Sequence, residues 1–262
     1  MNNIQAEKYP ILFGAIDTSD RLTAAATFDF FQEIAINHAE HLGVGREDFI
    51  KSGQAWVLSR FSVLWDRRPK WKEEVTVRSW PRGGEKLFAL RDYDIRDAED
   101  KPIVRGRSGW IILDIEKRRP LRPQTVMEKL PLNDGLNALT GIPSSLDTRA
   151  DYTRIGERKA AYSDIDYNGH VNNTRYIQWV QDTIEPGILE TAAQMRLDIN
   201  YLSEVKFGET VEIWTAPIDG SDADAGVAAG AFGAADWAYS FEGRRADADD
   251  KAAVFRVELR IK

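Results

Sequence analysis

Apolar positions along the chain follow two periods, and the change from one to the other marks out the elements. Over residues 27–43, TFDFFQEIAINHAEHLG, the residues Phe28, Phe31, Ile34, Ala35, His38 and Leu42 return at helical spacing, and Gly43 supplies a stop. A second helix is predicted over residues 171–184, VNNTRYIQWVQDTI, with Tyr176, Trp179, Val180 and Thr183 on one face and Pro186-Gly187 ending it. The other apolar runs are short and rich in β-branched and aromatic residues, as strands are. After the first helix they are residues 55–65, 73–80, 86–97 and 102–115, parted by turn signals at Pro81-Arg82-Gly83-Gly84 and between Asp97 and Lys101. After the second they are residues 194–202, 209–217, 236–243 and 252–261, the last two joined by RRADADDK. The Gly/Ala/Asp stretch over residues 221–236 is expected to be a loose surface loop.

Each half therefore reads as a short extended piece, a helix and a run of strands, and the halves superpose. Residues 60–77, RFSVLWDRRPKWKEEVTV, lie over residues 196–213 without a gap at an offset of 136, which pairs Trp65 with Tyr201, Lys70 with Lys206, Trp71 with Phe207 and Glu73 with Glu209. Upstream, an offset of 146 pairs Asp20 with Asp166, Thr27 with Asn173 and Ile34 with Val180. In that register Leu22, Ala24 and Arg68 stand opposite Asn168, His170 and Glu204. A duplicated α+β unit follows: a first unit over residues 1–116, a proline-containing connector over 117–155 and a second unit over 156–262. Side by side, two such sheets extend each other and remove an exposed edge.

Composition narrows the function. A 262-residue chain that is 43% hydrophobic can bury a substantial core, and no apolar run approaches a membrane span. The N-terminal residues lack secretory or transit character, so a cytoplasmic protein is expected. With no cysteine there is no disulfide, no thiolate ligand and no cysteine nucleophile. His38 and His41 sit three apart on the first helix, but three histidines in all make a metal cofactor unexpected. The net charge of -7 speaks against nucleic acid, yet it is uneven. Residues 50–123 hold 18 Lys/Arg against 11 Asp/Glu, leaving 17 against 31 elsewhere, and such a basic surplus would draw an acidic partner.

Residues 164–174, DIDYNGHVNNT, carry the candidate chemistry. Asp166, Asn168, Gly169 and His170 fall within five residues, just before a helix whose first N–H groups are unpaired and carry partial positive charge. A carbonyl placed there is polarised, and an adjacent histidine orients or deprotonates water. Taken singly, Asp166 and Asn168 are routine turn and capping residues.

The string DIDYNGHVNNTRYIQWVQD, together with DRLTAAATFDFFQEIAINHA and WVLSRFSVLWDRRPKWKEEVTV, resembles the acyl-carrier-protein thioesterases of plants and bacteria along most of the chain. The resemblance implies two tandem hot-dog domains forming an internal pseudo-dimer, with a homodimer of chains left open. It implies hydrolysis of fatty acyl-acyl carrier protein with no cofactor, by a catalytic set of Asp166, Asn168, His170 and Glu204. Glu204 and His170 would activate water, Asp166 would tie the turn to the helix, and amides near Val171 would hold the oxyanion. A transient anhydride on Glu204 is the competing route. Plant members carry a cysteine after that glutamate, where this chain has Val205. The first half would shape the acyl tunnel, with Phe31, Trp56 and Phe61 as candidate lining residues. An acyl-CoA thioesterase of the same fold and a catalytically silent acyl-carrier-binding module are the alternatives.

Overall fold

A computed structural model of the chain describes residues 3–128, 130–131, 133, 135–219, 234–247 and 252–262. The first half runs β1 (Gln5–Pro10), α1 (Ala24–His41), α2 (Arg46–Lys51), β2 (Gln54–Trp65), β3 (Glu74–Glu85), β4 (Phe88–Arg96) and β5 (Pro102–Asp114). A short strand β6 (Arg119–Leu121) and a helical turn α3 (Gln124–Met127) begin the connector. The second half runs β7 (Thr153–Lys159), α4 (Asn173–Gln181), α5 (Pro186–Thr191), β8 (Met195–Tyr201), β9 (Thr210–Pro217), β10 (Trp237–Arg245) and β11 (Ala253–Ile261). The expected loop over residues 221–236 falls largely outside the described residues, as does the end of the RRADADDK turn.

All strands join one antiparallel sheet in the order β1-β3-β4-β5-β2-β8-β11-β10-β9-β7, with β6 beside β5. The halves meet where β2 pairs with β8, Trp65 opposite Met195 and Arg60 opposite Asn200, so each half-sheet covers the other's edge. Both longer helices pack on one face, and α1 and α4 touch each other at the centre. This is the tandem hot-dog architecture expected from the resemblance.

Alternation along the strands explains the two faces. On β8, Met195, Leu197 and Ile199 join the apolar core under the helices, while Arg196, Asp198 and Asn200 point the other way and are nonetheless buried. The connector covers that polar face: the Leu146 amide donates to Asn200 Oδ1 at 2.8 Å, the Ala138 amide to Asp92 Oδ2 at 2.8 Å, and Arg107 Nη1 to the Gly141 carbonyl at 2.8 Å.

Several expectations need correction. The Pro81–Gly84 signal is a bulge inside β3, and the hairpin tip comes later, where Lys86 takes φ 56°. Pro186 starts α5 as its first residue, a position where the missing N–H costs nothing. Part of the basic surplus of residues 50–123 is drawn into ion pairs. Arg107 pairs with Asp92 (2.6 Å), Arg78 and Arg96 with Asp94 (2.6 and 3.1 Å), Arg105 with Asp66 (3.0 Å) and Arg67 with Glu73 (2.7 Å). These cations serve the sheet's polar face and its ends.

Candidate active site

Residues 162–172 form a tight turn feeding α4. The Asp166 amide donates to the His170 carbonyl (2.9 Å), the Gly169 amide to the Asp166 carbonyl (2.9 Å), and the Asn168 amide to Asp166 Oδ1 (2.8 Å). Gly169 sits at φ 81°, where a side chain strains the backbone. The helix is capped by Asn172, whose Oδ1 accepts from the Thr174 amide at 2.9 Å. Asp166 thus closes its own turn and does not cap the helix, which corrects the role expected of it.

His170 projects from this turn and meets Glu204, with Nε2 3.2 Å from Oε2. The His170 side chain is 27% exposed and that of Glu204 is 69% exposed. Glu204 stands in the segment between β8 and β9, which Arg245 of β10 holds by donating to the Glu204 carbonyl, to Ser203 Oγ (3.2 Å) and to Glu209 (2.5 Å). The neighbouring Val205 is fully buried in the core, and its carbonyl accepts the Val171 amide at 2.8 Å. That bond removes Val171 as an oxyanion donor, because its N–H is already spent. Asn173, the first residue of α4, has an amide without a partner among the described residues.

Asn168 is held from the other half of the molecule. Arg46, at the start of α2, donates from Nε to Asn168 Oδ1 at 3.4 Å and lies 4.9 Å from the centre of the Tyr167 ring. Sequence reasoning missed Arg46 and Arg245. A signal existed for Arg46: α2 lies in the stretch by which the first half exceeds the second between helix and strands.

A cavity of about 20 Å³, room for about one water, is lined by Asn173, Thr174 and Tyr201 of the second half and by Phe28, Phe61, Tyr93 and Trp110 of the first. Phe61 lines it as expected, and Phe31 stands behind, stacked on Phe61 at 6.0 Å. Trp56 does not. It stacks on Phe49 at 4.5 Å and donates to the Val44 carbonyl, in a separate small core with Ile112 and Val126. A larger open groove of about 500 Å³ lies in the second half between α5 and β10, away from these residues.

The hydrogen bonds also correct the upstream register of the repeat. Val171 to Val205 is matched by Leu22 to Pro69 (both 2.8 Å), and Gly208 to Ala160 by Lys72 to Ile11 (2.9 and 3.0 Å). The offset of 136 therefore holds for the strands, but the turn superposes at 149, not 146. Asp17, Ser19 and Arg21 are the counterparts of Asp166, Asn168 and His170, and Arg68 remains that of Glu204. Arg68 is buried against Asp17 and donates to the Leu189 carbonyl of α5 at 2.5 Å, so the first half's turn is filled by an ion pair.

The comparisons agree with this architecture. Residues 2–129 match the model of the acyl-ACP thioesterase N-terminal domain, and residues 149–233 that of the C-terminal domain. An oleoyl-acyl carrier protein thioesterase of Coriandrum sativum is 27% identical over 80% of this chain and 62% of its own length. A palmitoyl-acyl carrier protein thioesterase of Arabidopsis thaliana is 28% identical over 76% and 52%. The chain thus spans between half and two thirds of these relatives, both of which are chloroplastic. Among solved structures, an acyl-ACP thioesterase from Bacteroides thetaiotaomicron superposes with a TM-score of 0.79 at 22% identity, covering 99% of this chain and 98% of that one. A 12:0-ACP thioesterase from Umbellularia californica gives 0.78 at 19% identity over the same shares. Matched by both domain models over most of its length, the chain belongs to the acyl-ACP thioesterase family.

Proposed function

We propose that the chain hydrolyses the thioester of fatty acyl-acyl carrier protein, releasing free fatty acid, with the second unit supplying the chemistry and the first the acyl pocket. The observation that carries this reading is the His170–Glu204 contact beside the N-terminus of α4, whose Asn173 and Thr174 share a small cavity with aromatic residues of the first half. The relatives' substrates, oleoyl, palmitoyl and 12:0 carrier thioesters, support the carrier as partner.

Glu204 sets the histidine's tautomer. Its carboxylate accepts from Nε2–H, which leaves Nδ1 as the basic nitrogen. Water attacks the thioester carbon as Nδ1 takes its proton. The tetrahedral oxyanion then collapses, the C–S bond breaks, and the proton passes to the departing thiolate, giving acid and thiol. Asn168 Oδ1 faces Arg46, so its Nδ2 is the donor available to water or substrate. Asp166 holds the turn, and the Asn173 amide at the positive end of α4 is the oxyanion donor in place of Val171.

Thiol release from matched panels of acyl carrier protein and acyl-CoA thioesters tests this. The expected result is a higher kcat/KM for the carrier, and a fall in kcat of about 10² to 10⁴ in both His170→Ala and Glu204→Ala with unchanged thermal midpoints. Turnover near wild type in either variant removes that residue from the mechanism, and preference for CoA at every length removes the carrier. We also propose a cytoplasmic site of action, checked by cell fractionation; among the described residues no helix is long and apolar enough to cross a membrane.

A further inference from the structure

At the corrected offset of 149, α4 overlies the first half of α1, and one identity falls between them: Gln32 of α1 is the counterpart of Gln181 of α4. Gln181 reaches across to the other half, where its Oε1 accepts from the Ala25 amide in the first turn of α1 at 2.8 Å. The pseudo-twofold relation of the halves carries Gln32 to the equivalent place, the first turn of α4, and Gln32 lines the small cavity together with Asn173 and Thr174 of that turn. Its side chain is half-buried, yet it has no hydrogen-bond partner among the described residues.

The caps of the two helices explain why one glutamine is engaged and the other is not. Thr23 opens α1, and its hydroxyl accepts from Ala26, the third amide of the helix, at 3.1 Å, which leaves the second amide to Gln181. Asn172 opens α4, and its Oδ1 accepts from Thr174, the second amide, at 2.9 Å, while the Arg175 amide donates to the Asn172 carbonyl at 2.9 Å. The change of cap from threonine to asparagine therefore takes the N–H that Gln32 would otherwise accept from. The Asn173 amide is left without a partner among the described residues, and Asn173 and Gln32 share a space with room for about one water. A space of that size also holds one substrate oxygen.

We propose that Gln32 is a catalytic residue contributed by the first unit: its Nε2–H donates to the thioester oxygen beside the Asn173 amide, so that donors from both halves hold that oxygen as it becomes negative. The proposal rests on the thioester-hydrolase reading of the site above. With no N–H of the protein to accept from, the Gln32 amide group turns its donor towards the oxygen. A donor already in place strengthens as negative charge develops, so its effect falls on kcat more than on KM. Gln181, bonded to Ala25, closes the corresponding turn of the first unit and acts there as a cap alone. The first unit, which lacks the imidazole and the carboxylate, still supplies one group to the reaction.

The same substitution at the two positions separates their roles. Gln32→Met keeps the length of the side chain and removes its donor; thiol release should fall about 10²-fold or more in kcat, the scale of one lost oxyanion donor, with KM and the thermal midpoint little changed. Gln181→Met should leave kcat unchanged and lower the midpoint by about 2–4 °C, because the Ala25 amide loses its acceptor. Gln32→Ala repeats the measurement if methionine does not fit. A kcat within about tenfold of wild type in the folded Gln32 variants overturns the inference and leaves thioester hydrolysis standing. Binding is read separately, from the midpoint shifts given by two acyl-pantetheine analogues of equal length. One carries a difluoroketone in place of the thioester, hydrated in water to a tetrahedral diol, and the other is a thioether without the carbonyl. The difluoroketone should stabilise the wild type more than the thioether does, and Gln32→Met should shrink that difference. A difference that Gln32→Met shrinks, without hydrolysis of any thioester, sinks the proposed activity and sustains the contact. Absence of hydrolysis with equal shifts, or with a difference that Gln32→Met leaves intact, overturns both.

Discussion

Replacing Arg68 by alanine tests whether the first half's turn is a structural lock. The Arg68 side chain is 2% exposed and its partner Asp17 18%. Burial pushes the Asp17 carboxyl up, but hydrogen bonds from Ser19 and Arg68 outweigh it and hold its pKa below the usual range. Removing one member of a buried pair costs about 3–5 kcal/mol. The lower end applies, because Asp17 Oδ1 keeps the Ser19 amide at 2.9 Å and the Ser19 hydroxyl at 2.6 Å, while Oδ2 and the Leu189 carbonyl lose their donor. Urea unfolding of Arg68→Ala should therefore show a loss of about 3 kcal/mol. The double variant Asp17→Asn with Arg68→Met, which leaves no buried charge, should recover most of that loss. Turnover of a small soluble thioester by the folded fraction should persist. A single variant within about 1 kcal/mol of wild type, or a double variant as unstable as the single, refutes the pair as a lock. Lost turnover in a fully folded Arg68→Ala refutes the assignment of chemistry to the other half.

Two further outcomes follow from contacts near the C-terminal end of the first helix. Arg46→Ala should lower kcat/KM only about threefold, the scale of an exposed cation–ring contact, with the thermal midpoint unchanged; a fall beyond a hundredfold would place Arg46 on the reacting atoms. His38, depressed to about 4 by burial and by the nearby positive charges of Arg91 and His41, stays neutral in the folded state while the unfolded chain takes a proton below its ordinary 6.5. Stability is then fully present above pH 6.5 and falls as the pH drops towards 4, by about 2 kcal/mol between pH 7 and 5. His38→Gln should flatten that slope, measured by urea unfolding at the two pH values, and an unchanged slope would show that His38 does not cause it.

The strands and both long helices were legible because each has one apolar face and a period that nothing else in the chain shares. The polar face was not, since Asp92, Arg107, Asp198 and Asn200 read as surface residues until the connector is seen to lie over them. A count of charges is silent in the same way, because it does not tell which of the arginines has a carboxylate across the strand. The turn's register slipped by three residues because matching Asp20 to Asp166 follows residue identity, whereas Asp20, at φ 65°, takes the conformational place of Gly169. A backbone position with positive φ outranks a shared side chain in deciding which residues correspond. Lys72 and Gly208, at φ 66° and 83°, repeat the lesson.

That corrected register changes how the two halves differ. With Arg21 and Arg68 opposite His170 and Glu204, the first half has not simply lost its polar residues; it has kept the acidic turn residue and carries arginine in place of both imidazole and carboxylate. The consequence is electrostatic. In the second half the carboxylate faces an imidazole, and both remain reachable by water. In the first, the guanidinium of Arg68 closes on Asp17 and on a carbonyl of α5, while Arg21 takes the Ala192 carbonyl at 3.2 Å. An always-charged group in that place cannot accept a proton, so the same frame that presents an imidazole to water in one half can only bind the halves together in the other.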